Sequence, residues 1–249
     1  KGCNDMRKFI DGFHEYILSS RGMELAMVYL EAEGEVGDGR KTIDSNAKEK
    51  DKLTTFPRGR KSIRGISKFD TLAAIDEQIL AKISFVTYEV VEESCYLPLK
   101  DHLIQLLPAS SSEDDDKLLQ KINTFRGRSQ LEWNVEEAFV SPLNWDSAIH
   151  ELRGIDRAIT PSMQIHSLVR ACKAIQAEFK QAVLPTLKTK GVSDTYLNAD
   201  TFVPIFIYVF CRSELSTPHL YKDLMWELCH PDQLHGEAGY YLTVFESAL

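Results

Sequence analysis

The apolar residues of this chain keep helical time almost without a break, which leaves few folds open to it. Ile165, Leu168, Val169, Cys172, Ile175 and Phe179 follow at three- and four-residue steps, the spacing that sets side chains on one face of an α-helix. Phe9, Phe13, Tyr16 and Ile17 do the same near the start. Leu25, Val28 and Tyr29 continue that helix or open a second, and the glycine-rich stretch from Glu33 to Gly39 is expected to end it. A long helix is expected from about Asp70 to Tyr96, carried by Leu72, Ile75, Ile79, Ile83, Val86 and Val90. Pro98 falls just beyond it, and Leu99, Leu103 and Leu106 continue in a new direction. Ser110 to Ile122 reads as a helix start whose acids face the macrodipole. Trp145, Ile149 and Leu152 share the next face. Thr160-Pro161 and Thr217-Pro218 are helix openers, an oxygen at the cap and proline in the first turn. Nowhere does clean period-two alternation appear between hairpin turns, and no internal repeat is visible. The expected fold class is all-α, with roughly eight to eleven helices. The expected division is an N-terminal helical bundle up to about residue 107 and a layered helical domain over 108–249.

With 249 residues, 43% of them apolar and 27% charged, the chain can bury a sizeable core. Its longest apolar run, Phe202 to Cys211, is roughly half of what a bilayer crossing needs. Neither a transmembrane segment nor a signal peptide is read from it. The first residue is Lys1, so a fragment of a longer protein is expected. Cys3, Cys95, Cys172, Cys211 and Cys229 are widely and irregularly spaced, without a CxxC pair. Structural thiols in a reducing compartment are expected, in place of a disulfide framework.

A net charge of −8 makes nucleic acid an unsuitable main partner. One segment runs against that balance. Arg40, Lys41, Lys48, Lys50, Lys52, Arg58, Arg60, Lys61, Arg64 and Lys68 face only Asp44, Glu49 and Asp51. This segment is either a solvated, disordered insert (about 40–68) or a contact for anionic membrane or an acidic partner.

The sequence holds no phosphate loop, nucleophile elbow or HExxH helix. His219, His230 and His235 with Cys229 have a spacing that suits no common ligand set, so no metal and no cofactor are expected. Two local features remain. In LNADTFVPIFIYVFC (Leu197 to Cys211), Asp200 stands where an N-cap would stand, Pro204 falls in the first turn, and Val203, Phe206, Ile207 and Phe210 form a stripe behind them. Taken alone, Asp200 could be no more than a cap. In HGEAGYYLTVFESAL (His235 to Leu249), a helix beginning near Glu237 puts Tyr241, Val244, Phe245 and Ala248 on an apolar face. Tyr240, Thr243 and Ser247 then form a semi-polar stripe beside it. Gly236 and Gly239 permit close backbone approach or a left-handed turn.

Together, AD-x-F-x-P (Ala199 to Pro204) and HGE-x-GYYLT (His235 to Thr243) resemble the vacuolar protein sorting nine (Vps-nine) domain. Its texture is nearest to the Ras-interaction/interference proteins and alsin. The stretches LPLKDHL (Leu97 to Leu103) and TPS (Thr160 to Ser162) are similar to theirs. The resemblance implies a guanine nucleotide exchange factor for Rab-five-subfamily small GTPases, acting on the GDP-bound and nucleotide-free forms. It implies no covalent chemistry, and a cytoplasmic place on early endosomal membranes. Carried over by residue, it makes Asp200 the acidic finger and Tyr240 the tyrosine that holds the switch region, with Thr243 one turn on. Phe202, Val203, Pro204, Ser247, Gly236 and Glu237 are the further partner-facing positions. Thr201 stands where a second acid is frequent, and Asn198 where glycine is usual. The chain stops inside the helix that begins near Glu237, so that helix is expected to be truncated. The alternative is a helical adaptor that binds a GTPase without exchanging its nucleotide.

Overall fold

In the computed structural model, residues 2–39, 77–107, 110–189 and 196–249 are described. Among them there is no strand, and the fold is all-α. The helices are α1 (Gly2–Gly39), α2 (Glu77–Leu106), α3 (Ser110–Phe125), α4 (Asp146–Leu152), α5 (Gly154–Arg157), α6 (Pro161–Glu178), α7 (Leu184–Thr189), α8 (Ala199–Ser213), α9 (Pro218–Leu228) and α10 (Glu237–Ser247). A π-helical stretch, Phe179–Val183, joins α6 to α7, and short 3-10 turns lie at Leu131–Trp133 and Glu137–Phe139. No helix of the described residues is long and apolar enough to cross a membrane. The basic segment Arg40 to Lys68 and the expected helix start at Asp70 lie outside the described residues.

The contacts divide the chain into two compact units, one of residues 12–91 and one of 1–11 with 92–249. In the smaller, α1 contributes His14 and Ala26 and α2 contributes Ile83, Tyr88 and Val91 as buried side chains. The His14 ring donates through Nε2 to the Ser84 carbonyl at 2.9 Å and stands edge-on to Tyr88, 5.4 Å between centroids. The expected face of α1 is therefore corrected. Phe9, Phe13 and Tyr16 are exposed, whereas Cys3, Met6, Ile10 and His14, one helical step round, are buried. Two stripes of similar apolar content lie side by side on this helix, and the one with the smaller side chains is packed. On α2, Val86 and Val90 are likewise exposed. Gly34 and Gly37 lie within α1, whose described residues run to Gly39, and Pro98 does not end α2. Buried Tyr96 and Leu103, on either side of Pro98, hold that helix across a residue that ordinarily interrupts one.

The larger unit is built round α6. That helix packs against α4, α5, α9 and α10 and also touches α8. Its buried residues Ile165, Leu168, Cys172 and Ile175 are the ones the spacing predicts, and Phe179 follows on the π-helical stretch. Ile149 and Leu152 of α4, Phe206 and Phe210 of α8, and Phe245 of α10 close the core around it. Both ends of α6 are fastened by side chains. At the start, Thr160 Oγ1 accepts from the Met163 N–H (3.3 Å), and Glu92 on α2 accepts from the Ser162 N–H (3.2 Å). The opener of α9 works differently from the sequence expectation. Thr217 makes no capping bond; Asp115 of α3 accepts from the His219 N–H (2.7 Å) and from its Nδ1–H (2.8 Å).

The thiols are packing groups. Cys3, Cys172, Cys211 and Cys229 are buried, and Cys95 is half-buried. Burial pushes the Cys211 thiol up to about 12, so it stays protonated at neutral pH. Among the described residues no group of three or more His, Cys, Asp or Glu is arranged to hold a metal.

Candidate functional site

Helices α8 and α10 begin beside each other. Phe202, in the first turn of α8, lies 5.9 Å from the Tyr241 ring in the first turn of α10. Between these starts and the end of α6 is an open groove of about 290 Å³, lined by Gln176, Phe179, Lys180, Tyr196, Leu197, Phe202, Tyr240 and Tyr241. Phe202 is only 4% exposed and stacks on Phe206 as well, so it forms the groove's floor and does not project from it.

The start of α8 differs from the sequence expectation in two ways. Asn198, and not Asp200, is the cap: its Oδ1 accepts from the Thr201 N–H (2.9 Å) and from the Thr201 hydroxyl (3.1 Å). Position 200 is thereby released from capping. Its side chain is exposed in the first helical turn, with no hydrogen bond or ion pair among the described residues. The two departures from the family pattern, Asn198 and Thr201, are one another's partners. Second, Pro204 falls beyond the first turn of a helix that begins at Ala199. Its missing N–H would have met the carbonyl of Asp200, four residues earlier. Val203 and Pro204 are half-buried beside the floor.

Helix α10 divides its tyrosines as the spacing predicts. Tyr241 is 2% exposed and Tyr240 is 47% exposed. Gly236, at φ +70°, turns the chain into the helix through the left-handed region. Gly239 is needed for closeness, because a Cβ there would run into the Leu234 carbonyl oxygen. Thr243 and Ser247 are exposed, but their hydroxyls donate back to the carbonyls of Gly239 (3.0 Å) and Thr243 (2.8 Å). Only their acceptor lone pairs remain for a partner.

Glu237, although exposed, is tied to the fold by two side chains. Its Oε1 accepts from the Tyr241 hydroxyl (2.9 Å), which itself accepts from Gln176 Nε2 (2.7 Å). Its Oε2 pairs with Lys173 Nζ at 3.1 Å. Burial alone would raise this carboxyl, but the Lys173 and Tyr241 hydrogen bonds outweigh it and hold Glu237 below the ordinary value of 4.5. A depressed carboxylate contributes stability that is complete above the unfolded value and is lost as pH falls through the lower folded one. Glu237→Gln is therefore expected to melt below wild type at neutral pH. That gap closes as melts are taken at pH values stepping down through 4.5.

The profile of the Vacuolar sorting protein 9 (VPS9) domain matches residues 145–249. Residues 145–249 are a VPS9 domain. The chain is similar to Ras and Rab interactor 2 of Mus musculus, 26% identical over 167 residues, covering 66% of this chain and 17% of that protein. It is 33% identical to Ras and Rab interactor 1 of Rattus norvegicus over 109 residues, covering 44% of this chain and 13% of that one. Protein sprint of Drosophila melanogaster is 40% identical over 53 residues, 21% of this chain and 3% of its own length. These matches span under a fifth of each relative. Trp145, where the VPS9 match begins, is fully buried and donates from Nε1 to Gln130 Oε1 at 2.8 Å. The VPS9 domain thus leans on residues before it. Lys173, Gln176, Lys180 and Tyr196 carry no local motif, and sequence reasoning did not reach them as site residues. Only the fold brings Gln176, Lys180 and Tyr196 to the groove and Lys173 to Glu237.

Proposed function

We propose that the chain is a guanine nucleotide exchange factor for a Rab-five-subfamily GTPase, its exchange unit spanning residues 108–249, acting at early endosomal membranes. The observation that carries this is the Asp200 carboxylate, exposed and unpartnered at the head of a helix whose cap is supplied by another residue. A small GTPase grips GDP with its phosphate loop, a lysine and magnesium. A carboxylate on a rigid helix can enter that site, pair with the lysine, and oppose magnesium and the β-phosphate by like-charge repulsion. The rigidity comes from Phe206 and Phe210, packed in the core behind the first turn. Tyr240, exposed at the groove, would hold the displaced switch region by ring contact and its hydroxyl. Thr243 and Ser247 would accept hydrogen bonds along the same stripe. Glu237 and Gly236 act by setting the position of α10, and Phe202, Val203 and Pro204 form the apolar bed for a switch side chain. No bond is made or broken. Release is faster because the nucleotide-free GTPase is bound better than the loaded one.

The test is fluorescent GDP release from a panel of Rab-five-like GTPases, with the wild-type chain and Asp200→Ala. A charge-assisted contact is worth about 1.5–3 kcal/mol, so the variant is expected to lose about ten- to a hundredfold of the acceleration. GTPase binding without acceleration by either protein would make the chain an adaptor and end the exchange proposal.

A further inference from the structure

The far end of α8 carries the opposite chemistry. Arg126 pairs there with Glu214, and Arg153 reaches the same carboxylate at 3.4 Å. Arg153 also donates to the carbonyls of Ser213 and Arg212, both at 3.1 Å, where the dipole's negative end favours a cation. Arg212 in turn donates to the Arg126 carbonyl at 3.1 Å. Closing the helix accounts for Arg153 and Glu214. It does not account for Arg128 and Arg157. Arg128 is exposed and lies over the Phe125 ring, 4.1 Å from its centroid. Arg157 is exposed one turn after Arg153. Besides Glu214, two acids stand nearby, Glu132 within reach of the Arg128 charge, and both are hydrogen-bonded to serines. Glu132 accepts from the Ser129 N–H and hydroxyl at 2.7 and 2.8 Å, and Asp156 accepts from those of Ser216 at 3.2 and 3.1 Å. A chain of net charge −8 therefore gathers Arg126, Arg128, Arg153, Arg157 and Arg212 at one end of one helix.

An exposed aliphatic side chain accompanies the arginines: Ile159, 42% exposed, stands two residues after Arg157. We propose that this end of the larger unit docks on an anionic membrane surface. Arg128 and Arg157 engage lipid phosphates through their planar forks, and Ile159 enters the headgroup layer. An acidic peptide would answer the arginines but leave Ile159 in water. Since α8 has 15 residues, Asp200 at its other end stands about 20 Å away, clear of the lipid. This inference does not depend on the exchange reading, because it concerns binding without a GTPase.

The full chain is pelleted with phosphatidylcholine vesicles, with and without about one-fifth phosphatidylserine. Wild type is expected to pellet only with the anionic vesicles, less so at high salt. Arg128→Glu/Arg157→Glu is expected to lose about thirtyfold of that binding, roughly fivefold for each arginine, at an unchanged melting temperature. Lys48→Glu/Lys50→Glu/Lys52→Glu runs in parallel, because the Arg40–Lys68 segment could bind the same vesicles. Loss in the arginine variant supports the proposal whatever the lysine variant does. The proposal is overturned by wild-type chain that ignores anionic vesicles, or by arginine variants that pellet like wild type. Loss of poly-glutamate binding with vesicle binding intact overturns it as well. Should the reversal lower the melting temperature, Arg128→Gln/Arg157→Gln is read in its place by the same criteria.

Discussion

Tyr241→Ala is expected to destabilise the VPS9 domain by about 3–5 kcal/mol, the cost of truncating a core aromatic, whereas Tyr240→Ala leaves its melting temperature within about 2 °C. The two residues are neighbours with rings 5.6 Å apart, yet one is 2% exposed and the other 47%. Removing the Tyr241 ring opens a cavity beneath Phe202 and strips Gln176 and Glu237 of the hydroxyl that joins them. Tyr241→Phe keeps the ring and loses only the hydroxyl, so it should fall between, at about 1 kcal/mol. Tyr240→Ala removes a side chain that bears on the groove from the solvent side. Its expected effect is on GDP release, slowed by about tenfold or more as a hydrogen bond and ring contact to the switch region are lost. Thermal melts and fluorescent GDP release on both variants decide the matter. Two variants that melt alike and exchange alike would end the division of faces.

That division was legible because the α10 sequence leaves one apolar stripe and one semi-polar stripe, with no second apolar face to choose between. The same holds for α6, where Ile165, Leu168, Cys172 and Ile175 are buried and Val169 is half-buried against the core. On α1 the rule had two answers. Phe9, Phe13 and Tyr16 compete with Met6, Ile10 and His14, and the choice was made by partners distant in sequence, among them the Ser84 carbonyl that receives His14. Caps misled for the same reason. Asn198 and Asp200 are both able to cap, and only the backbone shows which one does. At α9 the cap is Asp115, over a hundred positions away, which no local pattern could reveal. The two motifs of the candidate site were legible in the sequence. The groove joining them was not, because Gln176 and Lys180 reach it through tertiary packing alone.

Glu178→Ala is expected to cost about 3 kcal/mol or more, for a reason equally invisible in sequence. Glu178, 6% exposed at the end of α6, accepts from the Trp145 N–H at 2.9 Å and from the Ser141 hydroxyl. Asn144 and Trp145 both take positive φ, at 56° and 60°, a conformation costly for residues with side chains, and α4 has no side-chain cap of the usual local kind. The carboxylate supplies from α6 what the local sequence lacks, while Gln130 holds the Ser141 main chain through both its N–H and its carbonyl, each at 2.9 Å. Alanine leaves two buried donors without an acceptor, at about 1–3 kcal/mol each. Glutamine retains an oxygen and should cost about 1 kcal/mol. Urea unfolding measures the difference. Amide hydrogen exchange locates it, with Trp145 and Ile149 accelerated in the alanine variant and nearly unchanged in the glutamine one. An alanine variant as stable as wild type would mean that the left-handed turn into α4 holds itself. The end of α6 would then be free to move with Phe179 and Lys180, the groove residues that follow it.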